Sequence, residues 1–196
     1  NQPTIPAADD RLLHLHDLAV KNGSKANLLN AITVGLSAVR MLRKHAPVPL
    51  VAHFDFIAPF TRIPNFGVDS KLMTKLQRLV GFDVIILAGF GARMKTSDDE
   101  VIENVAECLK PAGNIKPALP VPAGSQWAAT TAELYERLQT IDFGIVPGRG
   151  VFGHPLGPKA GAASLLQGWE AYDRGLTLEQ YAENHPELKA AIEAFA

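Results

Sequence analysis

The sequence predicts an α/β protein built on parallel strands. Three observations carry that reading. Five short runs are apolar at nearly every position rather than every second one, the pattern of strands covered on both faces. Amphipathic segments with readable caps lie between them. Glycine-bearing stretches follow the third and fifth runs and a long one follows the second, while the returns are short. Such alternation implies right-handed crossovers between parallel strands, arranged as an open doubly wound sheet or as a barrel. Loops at several strand C-termini gather around one mouth in a barrel, which favours the barrel.

The elements follow in order. "DDRLLHLHDLAV" (9–20) is an amphipathic helix, and "ANLLNAI" (26–32) the first strand. "SAVRMLRKH" (37–45) is helical and leads to the second strand, "VPLVAHF" (48–54). "SKLMTKLQRLV" (70–80) stripes Leu72, Met73, Leu76, Leu79 and Val80 before the third strand, "FDVIILAG" (82–89). "SDDEVIENVAECL" (97–109) opens on Ser97 and Glu100, spaced as a capping box. The fourth strand, "IKPALPV" (115–121), carries Pro117 and Pro120, which weaken it because proline cannot donate to a ladder. "TAELYERLQTI" (131–141) is helical, "FGIVP" (143–147) the fifth strand, and a helix over 158–175 starts at Pro158. Two short helices, 177–184 and 186–195, end the chain.

Composition narrows the partners. With 47% apolar and 20% charged residues and a net charge of −1, there is no basic excess to pair with nucleic acid or an anionic membrane. No apolar run approaches the roughly 20 residues of a membrane span, and no basic-then-apolar signal pattern opens the chain. The single cysteine, Cys108, excludes an internal disulfide and reads as a buried small hydrophobe. The expected setting is the cytoplasm. A closed (β/α)8 barrel takes about 250 residues. Five βα units in 196 residues therefore predict a partial barrel domain over 1–196.

Chemistry concentrates at the strand ends. Between 148 and 157 the chain places Gly148, Gly150, Gly153 and Gly157, keeping Arg149 among them. Bare backbone past a strand lets amides face one point, and a guanidinium adds a charge-assisted contact, so the stretch suits a phosphate. The preceding strand ends in "PAGSQWA", where Ala123, Gly124 and Ser125 are small enough for close approach. The alternative is that these glycines only permit tight turns and helix packing. His53 and Asp55, two apart, share a face and suit proton transfer or metal binding; a hydrogen-bonded structural histidine is the alternative. "AGFGARMKTSDDE" carries Arg93 and Lys95 on a loop that suits a lid, or else a solvated connection. His14, His16, His45 and His185 read as surface residues, and His154 as part of its turn.

These stretches resemble one family in chain order. "GRGVFGHPLGPKAGAA" is similar to the loop and helix after the eighth barrel strand of the ribulose bisphosphate carboxylase (RuBisCO) large chain. "VPLVAHFDF" resembles the fifth strand with its histidine, "KLQRLVGFDVIILAGFGAR" the sixth strand and its mobile loop, and "LPVPAGSQW" the seventh strand and its phosphate loop. The five strands then correspond to the fourth through eighth of a TIM-type barrel. The family's N-terminal domain and first barrel strands fall outside this sequence. Departures are informative. Carboxylases carry arginine where this chain has Phe54, histidine where it has Ile86, lysine where it has Arg93, and glycine where it has Arg149.

The resemblance therefore implies a RuBisCO-like protein rather than a carbon dioxide-fixing carboxylase. It implies enolisation or decarboxylation of a phosphorylated keto-sugar acid or ketone through a Mg²⁺-stabilised enediolate. The group acting on 3-oxo-isoapionate 4-phosphate and the sulfur-salvage diketone enolases are the candidate branches. His53, Asp55 and Arg93 take the catalytic positions; Ala123, Gly124, Ser125, Gly148 and Arg149 take the phosphate. The family's Mg²⁺ ligands, a carbamylated lysine among them, have no counterpart here, so the metal set in this chain is empty. A homodimer or higher homo-oligomer is implied, and the 196 residues alone are expected to be inactive. A true carboxylase large chain, a non-catalytic phosphate-binding module and an assembly scaffold are the alternatives.

Overall fold

A computed structural model describes residues 8–63, 65–90 and 96–196. The chain divides into two compact units, one of residues 1–87 with 103–121, the other of 88–102 with 122–196.

The first unit is built on a sheet of four strands, β1 (Asn27–Leu29), β2 (Leu50–Ala52), β3 (Val84–Ala88) and β4 (Leu119–Ala123), adjacent in chain order. β1 and β2 run parallel with Asn27 opposite Leu50, and β2 and β3 run parallel with Val51 opposite Val84. The Leu119 amide donates to the Asp83 carbonyl at 2.8 Å and carries the order on to β4. Alternation on one apolar sheet fills the core: Leu50, Ala52 and Ile85 are fully buried, as are Val39 and Leu42 of helix α3 (Leu36–His45). β4 begins four residues and ends two residues further along than the sequence pattern suggests. It holds Pro120 and Pro122 because it is the last strand of this sheet, where the missing donors break no inner ladder.

The other helices here are α1 (Ala8–Lys21), α2 (Ala31–Val34), α4 (Ala58–Thr61) and α5 (Ser70–Val80). α2 truncates the expected first strand: the Asn30 side chain accepts from the Ile32 and Thr33 amides at 2.8 and 3.1 Å and turns the chain into a helix. At the other end of the strands, Asp83 Oδ2 accepts from the Leu50 amide at 2.8 Å and from Arg43 at 2.6 Å. Arg78 of α5 is buried, yet its guanidinium donates to the carbonyls of Glu107 (2.9 Å) and Lys116 (3.3 Å). Such bonds are what make an interior charge tolerable. Cys108 is fully buried as expected, and burial pushes its thiol up to about 12.

His16 overturns the expectation of a surface residue. It is 4% exposed, and the Asn27 amide group donates to its Nδ1 at 2.6 Å. Nε2 then carries the proton and finds no acceptor among the described residues. Burial lowers its pKa; Asp17 opposes that effect, while His45 and Arg43 add to it.

In the second unit helices dominate: α7 (Ala128–Leu138), α8 (Gly148–Phe152), α9 (Pro158–Asp173), α10 (Leu178–Ala182) and α11 (Pro186–Phe195). α6 (Asp98–Leu109) begins here, with Ser97 Oγ accepting from the Glu100 amide at 3.2 Å, and continues in the first unit. Ala128, Ala171, Tyr181, Ala182 and Leu188 form the core, with Trp127, Leu178 and Ile192 against it. The expected fifth strand at 143–147 pairs with no other strand among the described residues. Its Val146 amide instead donates to the side-chain oxygen of Gln126 at 2.8 Å, so a glutamine replaces the ladder. The glycine stretch that follows folds into α8 before α9 begins.

Candidate functional site

In the first unit the candidate residues stand at the tip of β2. The His53 amide donates to the Leu29 carbonyl at 3.0 Å, which extends the β1–β2 ladder one residue and fixes the histidine just past the strand. Its ring stacks on Phe54, with centroids 5.1 Å apart and planes 11° apart. Two Asp55 groups meet Nδ1: the backbone amide at 3.2 Å and carboxylate Oδ2 at 3.1 Å. These contacts are exclusive. Nδ1 accepts the amide proton when it is bare, and donates to Oδ2 when it is protonated. Either way Asp55 occupies Nδ1 and leaves Nε2 as the nitrogen that can exchange a proton with a ligand. The Asn30 side chain donates to the Asp55 carbonyl at 2.6 Å, tying the tip of β1 to that of β2. Asn30 escaped the sequence reading; an asparagine opening a short helix is its only signal.

In the second unit the two glycine-bearing loops come together. The loop after β4 holds Ala123, Gly124 and Ser125, and its Gly124 backbone sits at φ +154°. A side chain on Gly89, past β3, would overlap the Ala123 carbonyl, so the tips of β3 and β4 meet backbone to backbone. A pocket of about 370 Å³ opens beside this loop, lined by Gly124, Ser125, Thr130, Glu133 and Arg137 among others. Arg137 pairs with Asp98 at 3.0 Å and Glu133 at 2.7 Å, and its guanidinium lies 4.8 Å from the centre of the Phe90 ring. Arg137 was not a sequence candidate.

The turn at α8 is more structured than its glycines suggest. The Gly148 amide donates to the Val146 carbonyl at 2.8 Å, and the Gly150 amide to the Gln126 carbonyl at 3.1 Å. A Cβ on Gly150 would stand 2.7 Å from that same oxygen, so this glycine is required by packing, whereas a Cβ on Gly148 would meet open space. Arg149 is exposed, and its guanidinium lies 5.1 Å from the centre of the Phe195 ring. His154 is buried: Nε2 lies 2.9 Å from the Glu187 carbonyl and Nδ1 accepts from the Leu156 amide at 3.1 Å, a structural assignment. Arg93 and Lys95 lie outside the described residues.

Among the described residues, no three His, Cys, Asp or Glu side chains gather as a metal site. The described residues therefore do not offer a ligand set that fits the Mg²⁺ the resemblance implies. No described helix is long and apolar enough to cross a membrane.

Comparison with known proteins agrees with this architecture. The model of the ribulose bisphosphate carboxylase large chain catalytic domain matches residues 5–195. A "Ribulose bisphosphate carboxylase-like protein" of Allochromatium vinosum is 64% identical over 186 residues, covering 95% of this chain and 41% of that protein. A "3-oxo-isoapionate-4-phosphate decarboxylase" of Rhizobium etli is 32% identical, covering 97% of this chain and 46% of that protein. The crystal structure of a rubisco-like protein from Burkholderia fungorum superposes with a TM-score of 0.86 at 32% identity, over 96% of this chain and 47% of that one. The chain thus spans less than half the length of the curated relatives it matches.

Proposed function

The chain belongs to the ribulose bisphosphate carboxylase large-chain family, and we propose that it is the barrel portion of a RuBisCO-like enzyme that enolises or decarboxylates a phosphorylated keto-sugar acid or ketone without fixing carbon dioxide. The observation that carries the proposal lies in the second unit. There the small-residue loop 123–125 and the turn bearing Arg149 are joined through one residue, Gln126. Two such loops beside an exposed guanidinium suit a phosphate monoester.

In this reading Arg149 and the 123–125 loop hold the phosphate and so fix the register of the substrate. His53 works as the proton-transfer group through Nε2, oriented by Asp55 at Nδ1. Removal of a proton beside the ketone, or loss of CO2 from a carboxylate beside it, leaves the electron pair as an enolate on the former carbonyl oxygen, an enediolate where the neighbouring carbon carries a hydroxyl, and protonation at carbon discharges it. Arg93 is proposed as a cation closing from the β3–α6 connection. Mg²⁺ belongs to the proposal as a cofactor whose ligands stand outside these residues. The whole protein is proposed to work as a homodimer or larger homo-oligomer, and the 196 residues alone to be inactive. Phe54, Ile86 and Arg149, standing where carboxylases carry other residues, support the exclusion of carbon dioxide fixation. The similarity to a protein named 3-oxo-isoapionate-4-phosphate decarboxylase supports the decarboxylase branch, and the sulfur-salvage diketone enolases are the second reading.

The test uses the full-length protein that contains this segment. In deuterated water with a phosphorylated ketone, exchange of the proton beside the carbonyl is followed by NMR. Exchange that is abolished by Gly124→Asp, with no uptake of labelled bicarbonate, is the expected result. Bicarbonate incorporation, or exchange indifferent to Gly124→Asp, overturns the proposal.

A further inference from the structure

We infer that Gln126 is the positioning residue of the anion site: it holds the 123–125 loop and the Gly148–Gly150 turn in one fixed arrangement, and anion affinity depends on both ends of its side-chain amide. The inference rests on the phosphate reading above and deepens it.

The geometry is specific. Gln126 is 5% exposed and sits directly after Ser125. Its Nε2 donates to the Pro122 carbonyl at 2.5 Å, reaching back to the end of β4. Its Oε1 accepts the Val146 amide at 2.8 Å, on the segment that enters the turn. Its backbone carbonyl accepts the Gly150 amide at 3.1 Å, within the turn itself. One residue therefore bonds to the strand end before its loop, to the approach of the second loop and to the second loop's own backbone. Residues 143–147 have no ladder partner among the described residues, so no sheet hydrogen bond duplicates the link to Val146. Gly150 is bare for the same reason: a Cβ there would push the Gln126 carbonyl away.

A side chain that only filled space would tolerate replacement by an apolar residue of similar length. One that positions through both amide atoms needs a donor and an acceptor together. A protonated carboxyl group supplies both, whereas a carboxylate would face the Pro122 carbonyl with a second acceptor. Burial and that opposing oxygen raise the pKa of an introduced carboxyl group. Gln126→Glu consequently turns the link into one that pH restores.

The experiment measures sulfate binding to the full-length protein by titration calorimetry, because sulfate keeps its charge between about pH 8 and about pH 5.5. Arg149→Ala, Gln126→Leu and Gln126→Glu are compared with the wild type at each pH. Circular dichroism and thermal midpoint report the fold. Expected are weakening by about tenfold or more in Gln126→Leu, worth some 1.4 kcal/mol, and a similar loss in Gln126→Glu at the higher pH that recovers at the lower. Loss of binding in Arg149→Ala with wild-type affinity in both Gln126 variants overturns the inference and leaves the phosphate reading intact. Sulfate binding indifferent to Arg149→Ala removes the phosphate reading and this inference with it. If Gln126→Leu fails to fold, recovery of Gln126→Glu on acidification decides alone.

Discussion

The tip of β2 and the paired loops of the second unit carry different kinds of information. At the tip of β2 the chemistry resides in side chains that show themselves by type: a histidine and an aspartate two apart, half-buried and exposed, supported by contacts within a few residues and by Asn30. In the loops the conspicuous residues are glycines, and some of them, Gly150 above all, answer to packing rather than to a ligand. The organiser there is a buried glutamine whose role depends on where three separate segments lie. Reactive groups are legible from composition; the groups that hold them in place are legible only from coordinates.

The largest effect expected from this contrast is at His53. In the full-length enzyme His53→Ala is expected to slow proton exchange by about 10²- to 10⁴-fold. As the side chain is half-buried and bonded locally, the accompanying change in stability stays within roughly 0.5 kcal/mol. Asp55→Asn keeps an oxygen beside Nδ1 but removes the charge, and the expected loss is smaller, on the order of tenfold. Rates measured beside urea midpoints check both. A His53 variant that loses stability and keeps its rate would make this histidine structural and erase the contrast.

The next largest effect separates two glycines of one turn. Gly150→Ala places a methyl group 2.7 Å from the Gln126 carbonyl and from Trp127 Cα. Overpacking of this kind costs about 1–3 kcal/mol, to be read as a lowered thermal midpoint. Gly148→Ala meets nothing within 4 Å and begins a helix, so it is expected to be neutral or to gain about 0.4–1 kcal/mol. Equal effects at the two positions would show that the turn is loose enough to absorb the methyl group, and the packing account of Gly150 would fall.

How much of this could be read beforehand depends on what each residue does. Helices announced themselves: α5 and α11 span the residues that their apolar stripes and caps suggest, 70–80 and 186–195. Strands were placed correctly in order but not in length, because burial of an apolar run does not say where its ladder stops. Asn30 stops the first, and Gln126 takes the Val146 amide where a fifth strand was expected. The prolines of β4 misled in the other direction: they register as breakers in the sequence, yet the last strand of the sheet holds two of them. His16 reads as a surface residue of the first helix, whereas the Asn27 side chain of β1 donates to its Nδ1 in the interior. The candidate residues at the two glycine loops and at β2 were all visible by type. Asn30, Gln126 and Arg137 were not, since each also bonds to a partner at least 20 residues away in sequence.

The smallest expected effect distinguishes the two units by acidity. His16, in the first unit, has its pKa lowered chiefly by burial, so the unfolded chain binds its proton more readily than the folded one. Stability from this group is complete above its ordinary value near 6.5 and is lost as pH falls below that value towards the lower folded one. Of the groups facing it, Asp17 opposes the shift without reversing it, and His45 and Arg43 add to it. In the second unit, Glu187 is held below its ordinary carboxylate range first by the hydrogen bond from Gln167, so its contribution persists down to about 4.5 and fades only beneath that. Hydrogen exchange followed from neutral pH to about pH 5.5 should therefore show protection falling in the first unit while the second keeps its own. His16→Gln should flatten that difference. Acidification that loosens both units in step, with or without His16, would mean that the buried imidazole has no bearing on how the first unit holds together.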